Sequence, residues 1–145
     1  LAEANKQGYT PTFFGCDGMD GILTMEGFDT TLAEGLYMLT PFAADATDDA
    51  TVDFVTKYKD AYGETPNQFA ADAYDAVMAI AQALEKAGVS ATDAQADITA
   101  ALKTQFTSMT FDGLTGTNVT WNENGEVSKA PKAIVIQGGA YVSAE

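Results

Sequence analysis

Apolar residues recur at helical spacing in three consecutive segments in the middle of the chain. The longest segment follows Pro66 and predicts a helix that ends near Gly88. Its apolar positions are three or four residues apart, as expected of a helix face that packs into a core: Phe69, Ala73, Val77, Ile80 and Leu84. This is the strongest periodic signal in the sequence.

Two shorter helices are predicted on either side of it. The first begins with acidic capping residues around Asp48 and ends at Gly63. The second begins at Thr92, which forms a capping-box pattern with Gln95, and runs to about Phe106. The acids in the first turn of the earlier helix also suit the positive end of its dipole.

Strand patterns lie outside this helical region. Residues 9–15 and 34–42 each contain a short apolar run, and Pro41 closes the second. Residues 109–116 read as a turn-rich connection. Two hairpins are then predicted, one over residues 118–128 and one over residues 133–143. This order indicates the α/β class, with too few crossovers for a complete doubly wound sheet.

The first residues, LAEANKQG, read as the end of a helix that is already under way. They contain neither an initiator methionine nor the basic and apolar pattern of a leader peptide. We therefore expect the sequence to be a fragment of a longer protein.

Net charge excludes several classes of partner. The 145 residues include 21 acids against 7 bases, a formal net charge of −14, and no basic cluster offsets it. Such a field repels nucleic acid and anionic lipid surfaces. No apolar stretch approaches the roughly 18 residues of a membrane span, so membrane insertion is not expected.

The residues of common catalytic and metal sites are scarce. The chain has no histidine, and its single cysteine, Cys16, has no base or cation nearby in sequence that would activate it. No segment carries the ligand pattern of a calcium loop. The sequence predicts no enzyme activity, no metal and no cofactor.

The loop FFGCDGMDG, residues 13–21, carries the most distinctive local chemistry. Its three glycines are three positions apart, unlike the dinucleotide fingerprint, and it contains Asp17 and Asp20 but no cation. A carboxylate beside a bound phosphate costs Coulomb energy. The loop is therefore predicted to favour a positively charged group over a phosphate.

Several of these segments together resemble one family. FFGCDG, EGLYMLTPF, the helix containing AYDAV, and the stretch from LTGTNVTW to IQGGAYV are similar to the C-terminal portion of type I periplasmic substrate-binding proteins of ABC transporters, in the same order. The leucine/isoleucine/valine-binding subgroup is the most similar. The resemblance implies Rossmann-like α/β lobes, of which this chain is an incomplete fragment with parts of two.

The resemblance also implies a division of the chain. Residues 1–40 would belong to the second lobe and residues 41–126, with the three helices and a hairpin strand, to the first. Residues 127–145 would form a hinge crossing and return strands to the second lobe. Because core elements of both lobes would be missing, we expect exposed apolar surface, self-association of the fragment and weak ligand binding by it alone.

Site residues follow from the resemblance only at matching positions. Asp17 occupies the position of the acid that pairs with the α-ammonium of an amino-acid ligand, and Phe69 that of an aromatic that lines the ligand side chain. Cys16 and Met19, on the same loop, are weaker candidates. A loop-stabilising role for Asp17 and a core role for Phe69 are the alternatives.

The function implied is that of the solute-binding component of an ABC importer. It would bind a branched-chain-like amino acid or similar small ligand between two lobes, without catalysis, and deliver it to the permease. It would be extracytoplasmic, in a periplasm or at a cell surface, either free or lipid-anchored. A ligand-sensing receptor ectodomain of the same fold is the alternative, and an acid-dependent hydrolase is a more distant one.

Overall fold

The computed structural model describes residues 1–144 and contains both helices and strands. The helices are α1 Ala2–Lys6, α2 Asp49–Tyr62, α3 Gln68–Ala87 and α4 Gln95–Phe106. The strands are β1 Phe14–Gly15, β2 Tyr37–Thr40, β3 Phe111–Gly113, β4 Gly116–Val119, β5 Lys132–Gln137 and β6 Ala140–Ser143. Short 3-10 turns occur at Asp17–Met19, Ile22–Thr24 and Thr30–Ala33. The predicted α/β class is confirmed.

The described chain divides into two compact units. The first contains Leu1–Phe69 together with the described residues from Pro131 onward, and the second contains Ala70–Ala130. These bounds differ from those of the predicted lobes, because α2 groups with the first unit. The assignment of residues 1–40, 41–126 and 127–145 to lobes of a longer protein stays a prediction.

The first unit is built on a mixed sheet with the order β1-β2-β5-β6. Strand β1 is parallel to β2, whereas β2 with β5 and β5 with β6 are antiparallel. Gly138 and Gly139 connect β5 to β6 with φ of 59° and 73°. This left-handed backbone is what a tight hairpin requires of its central residues, so the hairpin predicted over residues 133–143 is confirmed.

One apolar cluster forms the core of this unit. Its buried members come from the turn before β2, from β2, from the segment after it and from β5: Ala33, Leu36, Met38, Ala43, Ile134 and Ile136. Partly buried side chains from the loop that follows β1, including Met19 and Ile22, pack against the cluster. The loop is therefore anchored to the core of this unit through these side chains.

The capping signals predicted for α2 are confirmed. The carboxylate of Asp48 accepts a hydrogen bond of 2.9 Å from the Thr51 N–H, and this bond lowers the pKa of Asp48 from its ordinary value of 3.8. Gly63 ends the helix with φ of 77°, and its N–H donates to the Lys59 carbonyl at 2.8 Å. Residue chemistry alone therefore sets both ends of this helix.

The second unit contains most of α3, α4 and an antiparallel pair formed by β3 and β4. The prediction of a turn-rich connection over residues 109–116 was wrong in part, because that segment contains β3 and the turn into β4. Asp75 of α3, only 5% exposed, holds this turn. Its carboxylate accepts from the Leu114 N–H at 2.9 Å and from the Thr115 N–H at 2.8 Å. A bond over 39 residues of separation is invisible to local sequence patterns.

The hairpin predicted over residues 118–128 is reduced to a turn with one bridge, between Trp121 and Val127. Gly125 supplies the turn with φ of 82°. Strand β4 ends at Val119 and pairs with β3 instead. The capping box at Thr92 was also wrong: Ala94 is the N-cap of α4 and makes no side-chain capping bond. Asp93 instead accepts from the Ser90 N–H at 2.7 Å, which forms a turn before the helix.

Helix α3 has the predicted extent, but its buried face was predicted incorrectly. The residues that are buried include Gln68, Ala71, Asp75, Ala79 and Ala83. The predicted core residues Phe69, Val77 and Ile80 are 50%, 66% and 43% exposed. Small residues let the packed side of the helix approach its neighbours closely, whereas the bulky apolar side is only partly covered by the described residues.

Candidate functional site

The loop after β1 lies at the carboxyl end of a strand in the mixed sheet. Gly15 ends β1, and Cys16 leads into the 3-10 turn Asp17–Met19. A Cβ at residue 15 would collide with the Sδ of Met19, whose side chain packs on the core cluster. Glycine at this position therefore lets the chain turn immediately while Met19 stays anchored. Ligands of open α/β sheets commonly bind at this edge.

Gln68, the first residue of α3, ties the loop to two other elements. Its side chain is 1% exposed. The Nε2 group donates to the backbone carbonyl of Asp17 at 2.8 Å, and Oε1 accepts from the Thr40 hydroxyl at 2.9 Å. Thr40 ends β2, the parallel neighbour of β1. One buried amide thus joins the carboxyl ends of both strands to the start of a helix.

Asp20 makes a second connection between the same loop and the same helix. One carboxylate oxygen accepts from the Gly21 N–H at 2.8 Å, and the other accepts from the Gln68 N–H at 2.6 Å. A carboxylate at a helix N-terminus satisfies an unpaired N–H and interacts favourably with the helix dipole. The acid of Asp20 is therefore committed to holding the loop.

Tyr141 of β6 supports the far end of the loop. Its hydroxyl oxygen accepts from the Gly21 N–H at 2.9 Å and lies 3.5 Å from the Leu23 N–H. Burial raises the pKa of this hydroxyl above its ordinary value of 10.0, so the group stays protonated at neutral pH. The C-terminal hairpin thereby contributes to the position of the loop.

Asp17 differs from Asp20 in its surroundings. The residue is exposed, and its Oδ1 accepts a short-range bond of 3.0 Å from the Gly18 N–H. Ion pairs within residues 1–144 join other side chains: Lys6 with Glu3, Lys57 with Asp53, and Lys129 with Asp72. Among these described pairs no cation neutralises Asp17. Its carboxylate is held in place by the loop and retains capacity to accept further hydrogen bonds.

The other predicted site residues have different degrees of access. Phe69 is 50% exposed and directly follows Gln68. The hydrogen bond from the Gln68 side-chain amide to the Asp17 carbonyl therefore places Phe69 and Asp17 in the same part of the first unit. Cys16 is exposed next to Asp17. Met19 is partly buried against the core cluster, which favours a packing role for it.

Two cavities, one in each unit, lie elsewhere. A cavity of about 430 Å³ in the first unit is lined by residues that include Thr24, Asp45, Lys59 and Tyr141. A cavity of about 300 Å³ in the second unit is lined mainly by apolar and aromatic side chains. Neither includes the four predicted site residues. Asp17 and Phe69 are exposed side chains that line neither of these two cavities.

Sequence reasoning missed the residues that hold the loop. Gln68, Asp20 and Tyr141 act through bonds that span 48 to 120 residues. The one local signal for these residues is the position of Asp20 in the glycine-rich loop. The sequence, however, predicts that both acids of the loop favour a positively charged ligand group. The structure separates them into one structural acid and one accessible acid.

Similarity to a known protein family extends over nearly the whole chain. A family model described as periplasmic binding protein matches residues 1–139, nearly the whole chain. The chain belongs to the periplasmic binding protein family. The resemblance on which the lobes and site residues were predicted is therefore confirmed at the level of the family. A comparison with curated protein sequences finds no match.

Solved structures similar to this periplasmic binding protein agree with its fold. The leucine-binding protein LivK of Thermotoga maritima matches with a TM-score of 0.75 and 25% identity. LivJ of Streptococcus pneumoniae, a branched-chain amino acid transporter substrate-binding protein in complex with isoleucine, matches with a TM-score of 0.79 and 23% identity. A solute-binding protein of an ABC transporter from R. palustris, in complex with benzoate, matches at 0.78 and 17%.

These similarities cover almost all of this chain but a minor part of each neighbour. The match spans 99% of this chain and 39% of LivK or LivJ, and 98% and 37% for the benzoate-binding protein. The chain thus corresponds to about two fifths of such proteins, which confirms its prediction as a fragment of the type I fold.

Within residues 1–144, no helix is both long and apolar enough to span a membrane.

Proposed function

We propose that this chain is part of the solute-binding component of an ABC importer and that the ligand is an amino acid with an apolar side chain. It takes part in binding and delivery to a permease, without catalysis, outside the cytoplasm. The observation that carries the proposal is the accessible, unpaired carboxylate of Asp17 on a loop fixed by Gln68 at the carboxyl end of β1.

Asp17 binds the α-ammonium group of the ligand in this proposal. The negative charge and the open side of the carboxylate suit a group with three N–H donors. The bonds from Gln68 and to Asp20 hold the loop before the ligand arrives, so little loop entropy is lost on binding. A loop that is ordered before the ligand binds increases the affinity, because less conformational entropy is lost on binding.

Phe69 contacts the apolar side chain of the ligand. Half of its surface is exposed beside the loop, and an aromatic ring that gains an apolar partner is stabilised by burial. Cys16 and Met19 complete the neighbourhood, Cys16 as an exposed neighbour of Asp17 and Met19 as an anchor. The isoleucine bound to LivJ supports an aliphatic amino acid as the class of ligand.

The proposal predicts different behaviour for ligands with and without an ammonium group. Loss of a charge-assisted hydrogen bond costs about 1.5–3 kcal/mol, which is about 10- to 150-fold in Kd. In the full-length protein, Asp17→Asn should weaken binding of leucine, isoleucine or valine by that factor. Benzoate has a carboxylate and no ammonium, so Asp17→Asn should not weaken any binding of benzoate.

Isothermal titration calorimetry of the full-length protein measures both effects. Glu26→Gln is the matched control, since Glu26 is an exposed acid in the same segment and the substitution removes the same charge. Amino-acid binding that is equally strong in Asp17→Asn and Glu26→Gln would show the role of Asp17 to be wrong. Binding of benzoate alone, with no affinity for amino acids, would overturn the proposed class of ligand.

A further inference from the structure

The turn between Trp121 and Val127 contains the only Asn-Gly pair of the sequence, Asn124-Gly125. Both residues are exposed, and a Cβ added at Gly125 would meet open space. Because glycine has no side chain to shield its backbone nitrogen, this nitrogen can approach the side-chain carbonyl carbon of the preceding asparagine. Asparagine is chemically labile when such an approach is possible. The turn therefore places a reactive asparagine in contact with solvent.

The two other asparagines of this region are better shielded. Asn118 precedes Val119, a β-branched residue that ends β4 and is 1% exposed. Asn122 precedes Glu123, whose side chain shields the backbone nitrogen between them. The Nδ2 group of Asn122 also donates to the carboxylate of Glu126, which holds this side chain in place. Neither asparagine combines a glycine neighbour with a free approach.

Asn122 holds the turn around the reactive pair. Its backbone carbonyl accepts from the Gly125 N–H at 2.9 Å. Its Oδ1 accepts from the Asn124 N–H and from the Glu126 N–H, each at 3.0 Å. Three consecutive N–H groups are thus bonded to one residue. The Gly125 nitrogen must leave its bond before it can react, so Asn122 restrains the group that would attack.

We propose that Asn124 is a site of spontaneous deamidation and that Asn122 sets the rate of the reaction. The Gly125 backbone nitrogen attacks Cγ of Asn124, and a new C–N bond closes a cyclic imide. The C–N bond of the side-chain amide breaks, and ammonia leaves with the proton of the Gly125 N–H. Water then hydrolyses the imide at either carbonyl, which gives aspartate or isoaspartate in place of Asn124. Water is the only co-reactant.

The product alters one edge of the second unit. Either product adds a negative charge to a segment that already contains Glu123 and Glu126, in a chain with a net charge of −14. Isoaspartate also adds a methylene group to the main chain, so the turn no longer fits the single bridge between Trp121 and Val127. Trp121 lines the cavity of the second unit. Deamidation of Asn124 therefore loosens the wall of that cavity.

Peptide mapping of the aged full-length protein tests the proposal. Trypsin releases residues 104–129 as one peptide, because this stretch follows a lysine and contains no other lysine or arginine before its last residue. The peptide contains Asn118, Asn122 and Asn124, so each asparagine is an internal control for the others. The protein is incubated at mildly alkaline pH, and fragment ions locate the amide that has become an acid. A sample taken at the start corrects for deamidation during digestion, and an isoaspartyl methyltransferase labels the isoaspartate fraction.

Conversion should occur first at Asn124 and give both products. Conversion of Asn118 or Asn122 at the same rate would overturn the assignment of the site. An unchanged Asn124 after the incubation would overturn it as well.

Two variants of Asn122 test the restraint. Asn122→Ala removes Oδ1 and should speed deamidation of Asn124 by about 3- to 10-fold, as expected when hydrogen bonds that hold a turn closed are lost. Asn122→Asp keeps oxygens that accept from the same N–H groups, so its rate should stay near that of the wild type. Equal rates in the two variants would overturn the role of Asn122. A parallel rise at Asn118 in Asn122→Ala would mean that the whole unit had opened, and it would overturn the local restraint too.

Discussion

Replacement of Gln68 tests whether a single buried amide holds the candidate binding loop. Gln68→Met keeps the length and approximate volume of the side chain and removes both of its hydrogen-bonding groups. The Asp17 carbonyl then loses one of its two donors, the Gln68 amide at 2.8 Å, and the Thr40 hydroxyl loses its acceptor at 2.9 Å. The Gln68 backbone N–H still donates to Asp20, so the start of α3 keeps its cap.

The cost can be worked from these contacts. The Thr40 hydroxyl can turn to the Phe42 carbonyl, 3.1 Å away, and loses only the difference between two acceptors. The partly buried Asp17 carbonyl keeps its bond from the Asp20 N–H at 2.9 Å and loses one of its two donors. Because neither group is left without a partner, the two losses together come to about 1.5–2 kcal/mol, and the added apolar group of methionine returns about 0.8 kcal/mol. A net loss of about 1 kcal/mol in the free energy of unfolding follows.

Urea unfolding of the full-length protein measures this loss as a change in midpoint at constant slope. Gln82→Met is the matched control, because Gln82 also donates from Nε2 to a backbone carbonyl, that of Thr110, at 2.9 Å in an exposed setting. Exposed bonds exchange readily with water, so the control should lose less than about 0.5 kcal/mol. Equal losses in the two variants would refute the reasoning that the buried hydrogen bonds of Gln68 stabilise the fold more than an exposed one does.

Two further predictions concern the candidate site and helix α2. Phe69→Ala should weaken binding of isoleucine by the full-length protein by about 1–2 kcal/mol and binding of alanine much less, because only the larger ligand reaches the ring; calorimetry that finds equal losses would contradict the contact. Asp48→Asn keeps a capping oxygen but removes its charge. Since folding lowers the pKa of Asp48, the charge stabilises the fold above 3.8 and that stability is lost as the pH falls below it. The difference between wild type and Asp48→Asn in urea unfolding should therefore be constant near neutral pH and shrink as the pH falls below 3.8; a difference that stays constant there would count against the charge effect.

Features fixed by neighbouring residues were predictable from the sequence. The cap at Asp48, the stop at Gly63 and the turn at Gly138 and Gly139 depend on the backbone preferences of a few adjacent residues. The extent of α3 was predictable for the same reason. Its exposed side was not, because periodicity identifies an apolar face and carries no information about which part of the protein covers it.

The candidate site shows the same limit. The glycines and acids of the loop predicted a sharp turn with a negative charge, and Asp17 has that character. The difference between Asp17 and Asp20 depends on Gln68, which lies 48 residues beyond Asp20 in the chain. A lone glutamine at the start of a helix has no sequence signature of burial, and glutamine is usually exposed. Only the folded chain shows that Asp20 is bonded within the structure while Asp17 is exposed.

The long separations between these partners have a kinetic consequence. Gln68 meets Asp17 across 51 residues and Thr40 across 28, so the loop acquires its geometry only after distant segments of the chain have closed. Contacts between segments that are distant in the chain form more slowly than helices, because the entropy of closing the loop is lost before the contacts stabilise the structure. In a refolding experiment, recovery of ligand binding should therefore lag behind recovery of helical circular dichroism. Only fully folded chains would then bind the ligand, and partly folded chains that already contain helices would not compete for it.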